Sequence, residues 1–159
     1  MVISSGEHTM TAIKMVDALP PDVEEKMQSD LIKYESGHGI DVNYRKFSLL
    51  MIDGGEVIGV LNAYTAFAEV YIDDIWVDSG HRGVGHGRRL INKLEELFKG
   101  KGFNNINLCT STFNAPDFYK KCGFDLEYMR RNLKNPKLTK YFFVKFFDDE
   151  VQSQGIIKD

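Results

Sequence analysis

Two cysteines in 159 residues are too few for a disulfide framework. Cys109 and Cys122 show no CxxC spacing and no neighbouring histidine cluster, so a zinc site is not expected either, and no metal is called for. Reduced thiols in a cytoplasmic setting are the plain reading. Also missing is any apolar run near the roughly 18 residues that a membrane span needs, and the N-terminus carries no basic-plus-apolar signal region. No membrane partner is expected. Basic charge is not in excess: the formal net charge is −3 and forms no basic stripe, which argues against nucleic acid and mildly favours cationic ligands. There is no internal repeat and no linker. What remains is an ordinary globular composition, 43% apolar and 27% charged, in a length that suits one sheet with helices on its faces. Residues 1–159 are expected to form a single domain, with flexible polar ends at about 1–9 and 148–159.

The most informative segment runs from Ile75-Trp76-Val77 through Asp78-Ser79-Gly80-His81-Arg82-Gly83-Val84-Gly85-His86-Gly87 into Arg88. It joins an apolar strand to a helix, because Leu90, Ile91, Leu94, Leu97 and Phe98 recur on one face at helical spacing. The glycines therefore lie at a helix N-terminus, where free N–H groups and the positive end of the dipole favour an anion. Glycine at 83, 85 and 87 removes Cβ atoms that would hold a pyrophosphate away, and Arg82 adds a permanently charged fork. No Lys-Ser or Lys-Thr pair follows Gly87, which excludes a P-loop. The GxGxG run also fits a dinucleotide fingerprint poorly, since no second βαβ unit with a ribose-binding acid follows.

Arg82-x-x-Gly85-x-Gly87 resembles the pyrophosphate motif of the GNAT superfamily, the acyl-CoA-dependent N-acyltransferases. A second stretch, Asn114-Ala115-Pro116-Asp117-Phe118-Tyr119-Lys120-Lys121-Cys122-Gly123-Phe124, reads as a short helix with proline at its start and glycine at its stop. It resembles the A-x-x-x-Y-x-x-x-G-F signature of the same family. The resemblance covers roughly residues 45–146. It implies acetyl-CoA as cosubstrate and Tyr119 as general acid to the departing thiolate. It also implies a coenzyme site made of Ile75, Trp76 and Val77 in the strand, Arg82, Gly83, Val84, Gly85, His86, Gly87 and Arg88 in the cradle, and Asn114 and Phe118 near the tyrosine. Many members carry asparagine seven residues before the tyrosine. Thr112 stands there, so either the nearby Asn114 replaces it or that coenzyme contact is lost.

A coarse pass along the chain gives a helix at Val23 to Tyr34 before a flexible Ser36–Gly39, then a hairpin turning at Asp53-Gly54-Gly55-Glu56. A strand from about Ala68 to Val77 follows, then the cradle, its helix, the strand Ile106–Thr110, the tyrosine helix, and closing strands at Asp125–Arg130 and Tyr141–Phe147. This order makes a mixed α/β fold with a mostly antiparallel central sheet and flanking helices. The resemblance adds that the two central parallel strands splay apart.

Asp73 and Asp74 stand just before Ile75, a costly place for two carboxylates. Strict alternation sends them to opposite faces and puts Asp73 with Glu69, Tyr71, Ile75 and Val77. Asp73 is then the candidate proton acceptor for an attacking ammonium, with Glu69 as the next candidate and Glu69 and Tyr71 shaping the acceptor pocket. The run around Asp73 resembles that of the family's polyamine acetyltransferases. Aromatics at Tyr64, Phe67 and Tyr71 suit a compact cation. The four histidines are scattered, and His81 and His86 read as solvated loop residues. Either cysteine as a nucleophile is disfavoured, because neither has a histidine partner.

The function expected is direct acetyl transfer from acetyl-CoA to a primary amine of a small molecule: a polyamine, an aminoglycoside-like compound or an amino-acid derivative. Two other readings stay open, a protein lysine or N-terminal acetyltransferase and a non-catalytic acyl-CoA-binding module. Homodimers are common in the family.

Overall fold

The computed structural model describes residues 11–147, and the two ends expected to be flexible lie outside the described residues. The chain divides into two compact units, Met1–Ile40 and Asp41–Asp159. The first holds one helix, α1 (Pro21–Gly37). Pro21 supplies the first-turn φ where no N–H bond is needed, and Asp22 and Glu24 suit the positive helix end. The helix runs past Tyr34 through the Ser36–Gly37 segment expected to be flexible. It stops where the His38 and Gly39 N–H groups turn back onto Glu35 and Ser36 carbonyls, with Gly39 left-handed.

The second unit contains β1 (Arg45–Asp53), β2 (Glu56–Ala66), β3 (Glu69–Val77), α2 (His86–Phe98), β4 (Asn105–Ser111), α3 (Pro116–Lys121), β5 (Asp125–Arg130) and β6 (Lys140–Phe146). The strands form one sheet in the order β1-β2-β3-β4-β6-β5, and only β3 and β4 pair in parallel. Gly54 and Gly55 both have positive φ, as a two-residue primed turn demands, and close the β1–β2 hairpin.

Parallel pairing between β3 and β4 ends at Ile72 and Leu108, although β3 continues to Val77 and β4 to Ser111. The two strands therefore part, as expected. One sheet face is apolar: Leu61, Ala63, Val70, Ile72, Ile106, Leu108 and Phe143 join Leu90, Ile91 and Leu94 of α2 and Tyr119 of α3 in the core. Each such buried aliphatic contributes about 1.5–3 kcal/mol. Leu97, expected on the same helix face, is 42% exposed. Phe98 instead closes that end of the helix, stacked on Phe47 at 5.2 Å and edge-on to Phe103 at 5.1 Å.

Candidate functional site

The loop after β3 is built for turning. Asp78 accepts the Gly80 N–H and the His81 Nδ1, both at 3.0 Å, and the His81 and Gly80 bonds hold its carboxyl below the usual range. Gly83 and Gly85 adopt φ of +79° and +89°, which costs a side-chain-bearing residue strain, and the space around both is open. α2 starts after Gly85 with no side-chain cap, so the first-turn amides of His86, Gly87 and Arg88 have no intrahelical acceptor. Arg82 spends Nε on the Val77 carbonyl at 2.8 Å, bracing the loop against the strand end, while its outer nitrogens bond no described residue. Val84 is exposed. An uncapped helix start, an open glycine loop and a braced guanidinium together fit a pyrophosphate.

Two cradle residues also face α3. A Cβ on Gly87 would meet the Phe118 ring at 2.9 Å, so the missing side chain makes room for that ring, while the Gly87 N–H stays at the uncapped helix start. Arg88 donates from Nη2 to the Lys121 carbonyl at 2.8 Å and hydrogen-bonds the Cys122 side chain. It ties the start of α2 to the end of α3. Burial still outweighs Arg88 and pushes the Cys122 thiol up. His86 faces Arg89 at 3.4 Å.

α3 is entered through Ala115 in a left-handed conformation and leaves through Gly123 at φ +88°. Tyr119 is 8% exposed, with ring centroids 5.1 Å from Phe118, 6.0 Å from Phe124 and 5.9 Å from Phe143. Burial first, then the Cys122 and Asp74 charges, raise its phenol above the ordinary value. A phenol so placed keeps its proton until a strong base appears. Asn114 is exposed and contributes main-chain bonds, its N–H to Ser111 and its carbonyl from Thr110 Oγ1 at 3.1 Å. Thr112 is fastened to the turn before β6, donating to the Pro136 carbonyl at 3.1 Å.

The acidic pair corrects the alternation argument. Asn62 pairs with Asp74 and Ala63 with Ile72, so Asp73 is the extra residue of a β-bulge. Beyond the bulge the faces exchange. Val70 and Ile72 point to the core before it, and Ile75, paired with Leu61, packs against the core after it. Glu69 and Tyr71 consequently do not share a face with Ile75 and Val77. Nor are Asp73 and Asp74 sent to unrelated surfaces, for both border one hollow with Lys46, Ser48 and Asn62. Asp74 accepts from Asn62 Nδ2 at 3.4 Å, and Ser48 braces Asn62 at 2.7 Å. Trp76 is 44% exposed opposite Val60.

Glu69 is drawn away from the pocket. Its carboxylate accepts from the Tyr71 hydroxyl, from Asn105 Nδ2 at 3.2 Å and from Asn107 Nδ2 at 3.5 Å. That bond, with burial, pushes the Tyr71 phenol up to about 12. Tyr71 in turn stacks on Tyr64 at 4.8 Å. Phe67 occupies the β2–β3 turn with positive φ, far along the strand from Asp73.

Where β3 and β4 part lies a cavity of about 340 Å³ lined by Tyr64, Tyr71, Ile72, Asp73, Asn107, Leu108, Cys109, Glu127, Phe142 and Phe143. It unites Tyr71 and Asp73 with Glu127, Asn107, Cys109 and Phe142, which the sequence did not single out for this site. Among the described residues no histidine, lysine or arginine lines it. Among the described residues no group of side chains could hold a metal ion.

Residues 12–124 match the model of the Acetyltransferase (GNAT) family. The chain belongs to that family. It is 36% identical to the blasticidin-S acetyltransferase of Streptomyces morookaense over 45% of this chain and 54% of the relative. It is 31% identical to the streptothricin acetyltransferase of Streptomyces lavendulae over 71% of this chain and 62% of the relative. The chain thus spans a little over half the length of these two curated relatives. A proposed streptothricin acetyltransferase from Bacillus anthracis, solved in complex with acetyl coenzyme A, superposes with a TM-score of 0.57 at 26% identity, covering 65% of this chain and 63% of that one.

Proposed function

We propose that this chain transfers an acetyl group from acetyl-CoA to a primary amine of a small cationic molecule. The observation that carries the reading is the cavity at the parting of β3 and β4, aromatic-walled and lined, among the described residues, by two carboxylates but no lysine, arginine or histidine. The two antibiotic acetyltransferases among its relatives support a small acceptor of this kind. The reading takes residues 1–159 as one domain, supported by a family match that runs through both compact units.

Arg82 and the amides of Gly83 to Arg88 would hold the pyrophosphate, and the backbone of Ile75 to Val77, free of β4, would flank the arm of the coenzyme. Bound acetyl-CoA supplies the acyl thioester. Asp73, exposed at the bulge and bonded to no described residue, accepts a proton from the incoming ammonium at its carboxylate. Tyr119 keeps a proton on Oη because burial disfavours the phenolate, and so has one to give to a departing thiolate. Arg88 holds α3, and with it Tyr119, against α2. The exposed Cys109 reaches the cavity without any histidine there to activate it, which favours direct transfer over a covalent intermediate.

Free-thiol release from acetyl-CoA across a panel of small amines, antibiotics and lysine peptides, with calorimetric coenzyme binding alongside, tests the reading. Turnover of small amines is expected. Turnover confined to peptides would move the acceptor class, and coenzyme binding without any turnover would favour a sensor.

A further inference from the structure

Three of the strands that line the cavity carry a β-bulge, and in two of them, β3 and β5, the extra residue is a carboxylate. In β3 it is Asp73, between the Asn62–Asp74 and Ala63–Ile72 pairs. In β5 it is Glu127, between Leu126–Phe143 and Tyr128–Phe142. A bulge re-aims a side chain that regular alternation would send elsewhere. Both bulges deliver an acid to the same cavity. In the strand order β3-β4-β6-β5 these acids stand on outer walls, with Asn107 and Cys109 of β4 and Phe142 of β6 between them.

We propose that Glu127 is a specificity-determining residue that binds a second cationic group of the acceptor, so that the substrate class is small molecules bearing two or more amines. Neither Asp73 nor Glu127 bonds or pairs with any described residue, and among the described residues no cationic side chain lines the cavity, Lys46 bordering Asp73 only in the adjoining hollow. Arg130, one turn of the pleat along β5, lies over the Phe142 ring at 5.2 Å and makes no ion pair with Glu127. The stacked Tyr64 and Tyr71 leave aromatic surface for an alkylammonium. Partial burial and the Glu69 charge raise the Glu127 carboxyl above its ordinary range. An unmatched carboxylate in that condition gains most from an incoming cation.

The inference rests on the acetyl-transfer reading for its reacting end, and its test separates the two. Putrescine and n-butylamine, equal in chain length, are titrated calorimetrically into wild type, Glu127→Gln and Glu127→Asp without acetyl donor, and both amines are then assayed for thiol release. Wild type is expected to favour the diamine by about tenfold or more, a ratio falling toward one in Glu127→Gln and partly kept in Glu127→Asp. In turnover the loss with diamine is expected in KM rather than kcat. The expected binding ratios without thiol release would uphold the role of Glu127 and sink acetyl transfer. Turnover with no diamine preference, or a preference unmoved by Glu127→Gln, would overturn the role of Glu127 and leave acetyl transfer standing.

Discussion

The cradle and the cavity lie at two ends of one parted strand pair and are built in opposite ways. The cradle is a single stretch, 78–88, whose backbone does the work through left-handed glycines and an uncapped helix start. The cavity is assembled from β2, β3, β4, β5 and β6, with partners up to 79 residues apart, as Tyr64 and Phe143 are. Its character comes from side chains that two bulges redirect. One region offers backbone dipoles and cationic arms suited to an anion. The other presents carboxylates and rings. A shared scaffold can therefore fix the donor while the acceptor end varies with a few side chains.

The largest expected effect falls where the two regions meet. Tyr119→Phe keeps the ring packing against Phe118, Phe124 and Phe143 but removes the proton, and kcat should fall about 100-fold or more. Coenzyme affinity measured by calorimetry should stay near wild type. Unchanged turnover would remove Tyr119 from the chemistry and leave it as a core aromatic. Asp73→Asn comes next. It should lower kcat/KM by about 10- to 100-fold with coenzyme binding intact, because the change lies wholly on the acceptor side. A comparable loss of coenzyme affinity would break the division between the two regions.

The same contrast governs what the sequence reveals. The cradle is legible because Arg82, Gly85 and Gly87 are close in the chain and meet a helix whose apolar stripe marks its start. Tyr119 is legible because Ala115 and Gly123 frame it within one short helix. The hairpin follows from its turn residues and the parallel pair from its crossover helix, whereas the parting of that pair follows from the resemblance. Glu127 leaves no such trace: a bulge depends on how Leu126 and Tyr128 pair with β6, and nothing local to β5 states it. The bulge at Asp73 likewise defeats a period-two reading of β3, which is why Glu69 and Tyr71 end on a different face from Ile75. Gly87 shows the converse, a motif position to which a long-range contact with Phe118 adds a second demand for glycine.

Gly87→Ala sharpens that last point. Its Cβ would press on the Phe118 ring at 2.9 Å, so thermal stability should drop by about 1–3 kcal/mol, read as a fall in Tm. Gly87→Ala combined with Phe118→Leu should recover part of the loss if the ring is the cause. A stable single variant with weakened coenzyme binding would instead put the demand for glycine at the anion site alone.

The smallest effect concerns the acid that the sequence hid. A carboxyl with a raised folded-state value binds more protons folded than unfolded, so stability falls as pH rises through the window from the ordinary glutamate value near 4.3 to the raised one. Wild type should therefore lose Tm relative to Glu127→Gln as pH rises from the ordinary glutamate value through the raised one. The shift should be only about 1–2 °C, since Glu127 is exposed at the cavity mouth and solvent screens it. A saturating diamine should cancel the difference at neutral pH, because the cation supplies what the empty cavity withholds from the carboxylate. A monoamine, satisfied at Asp73, should leave most of it in place.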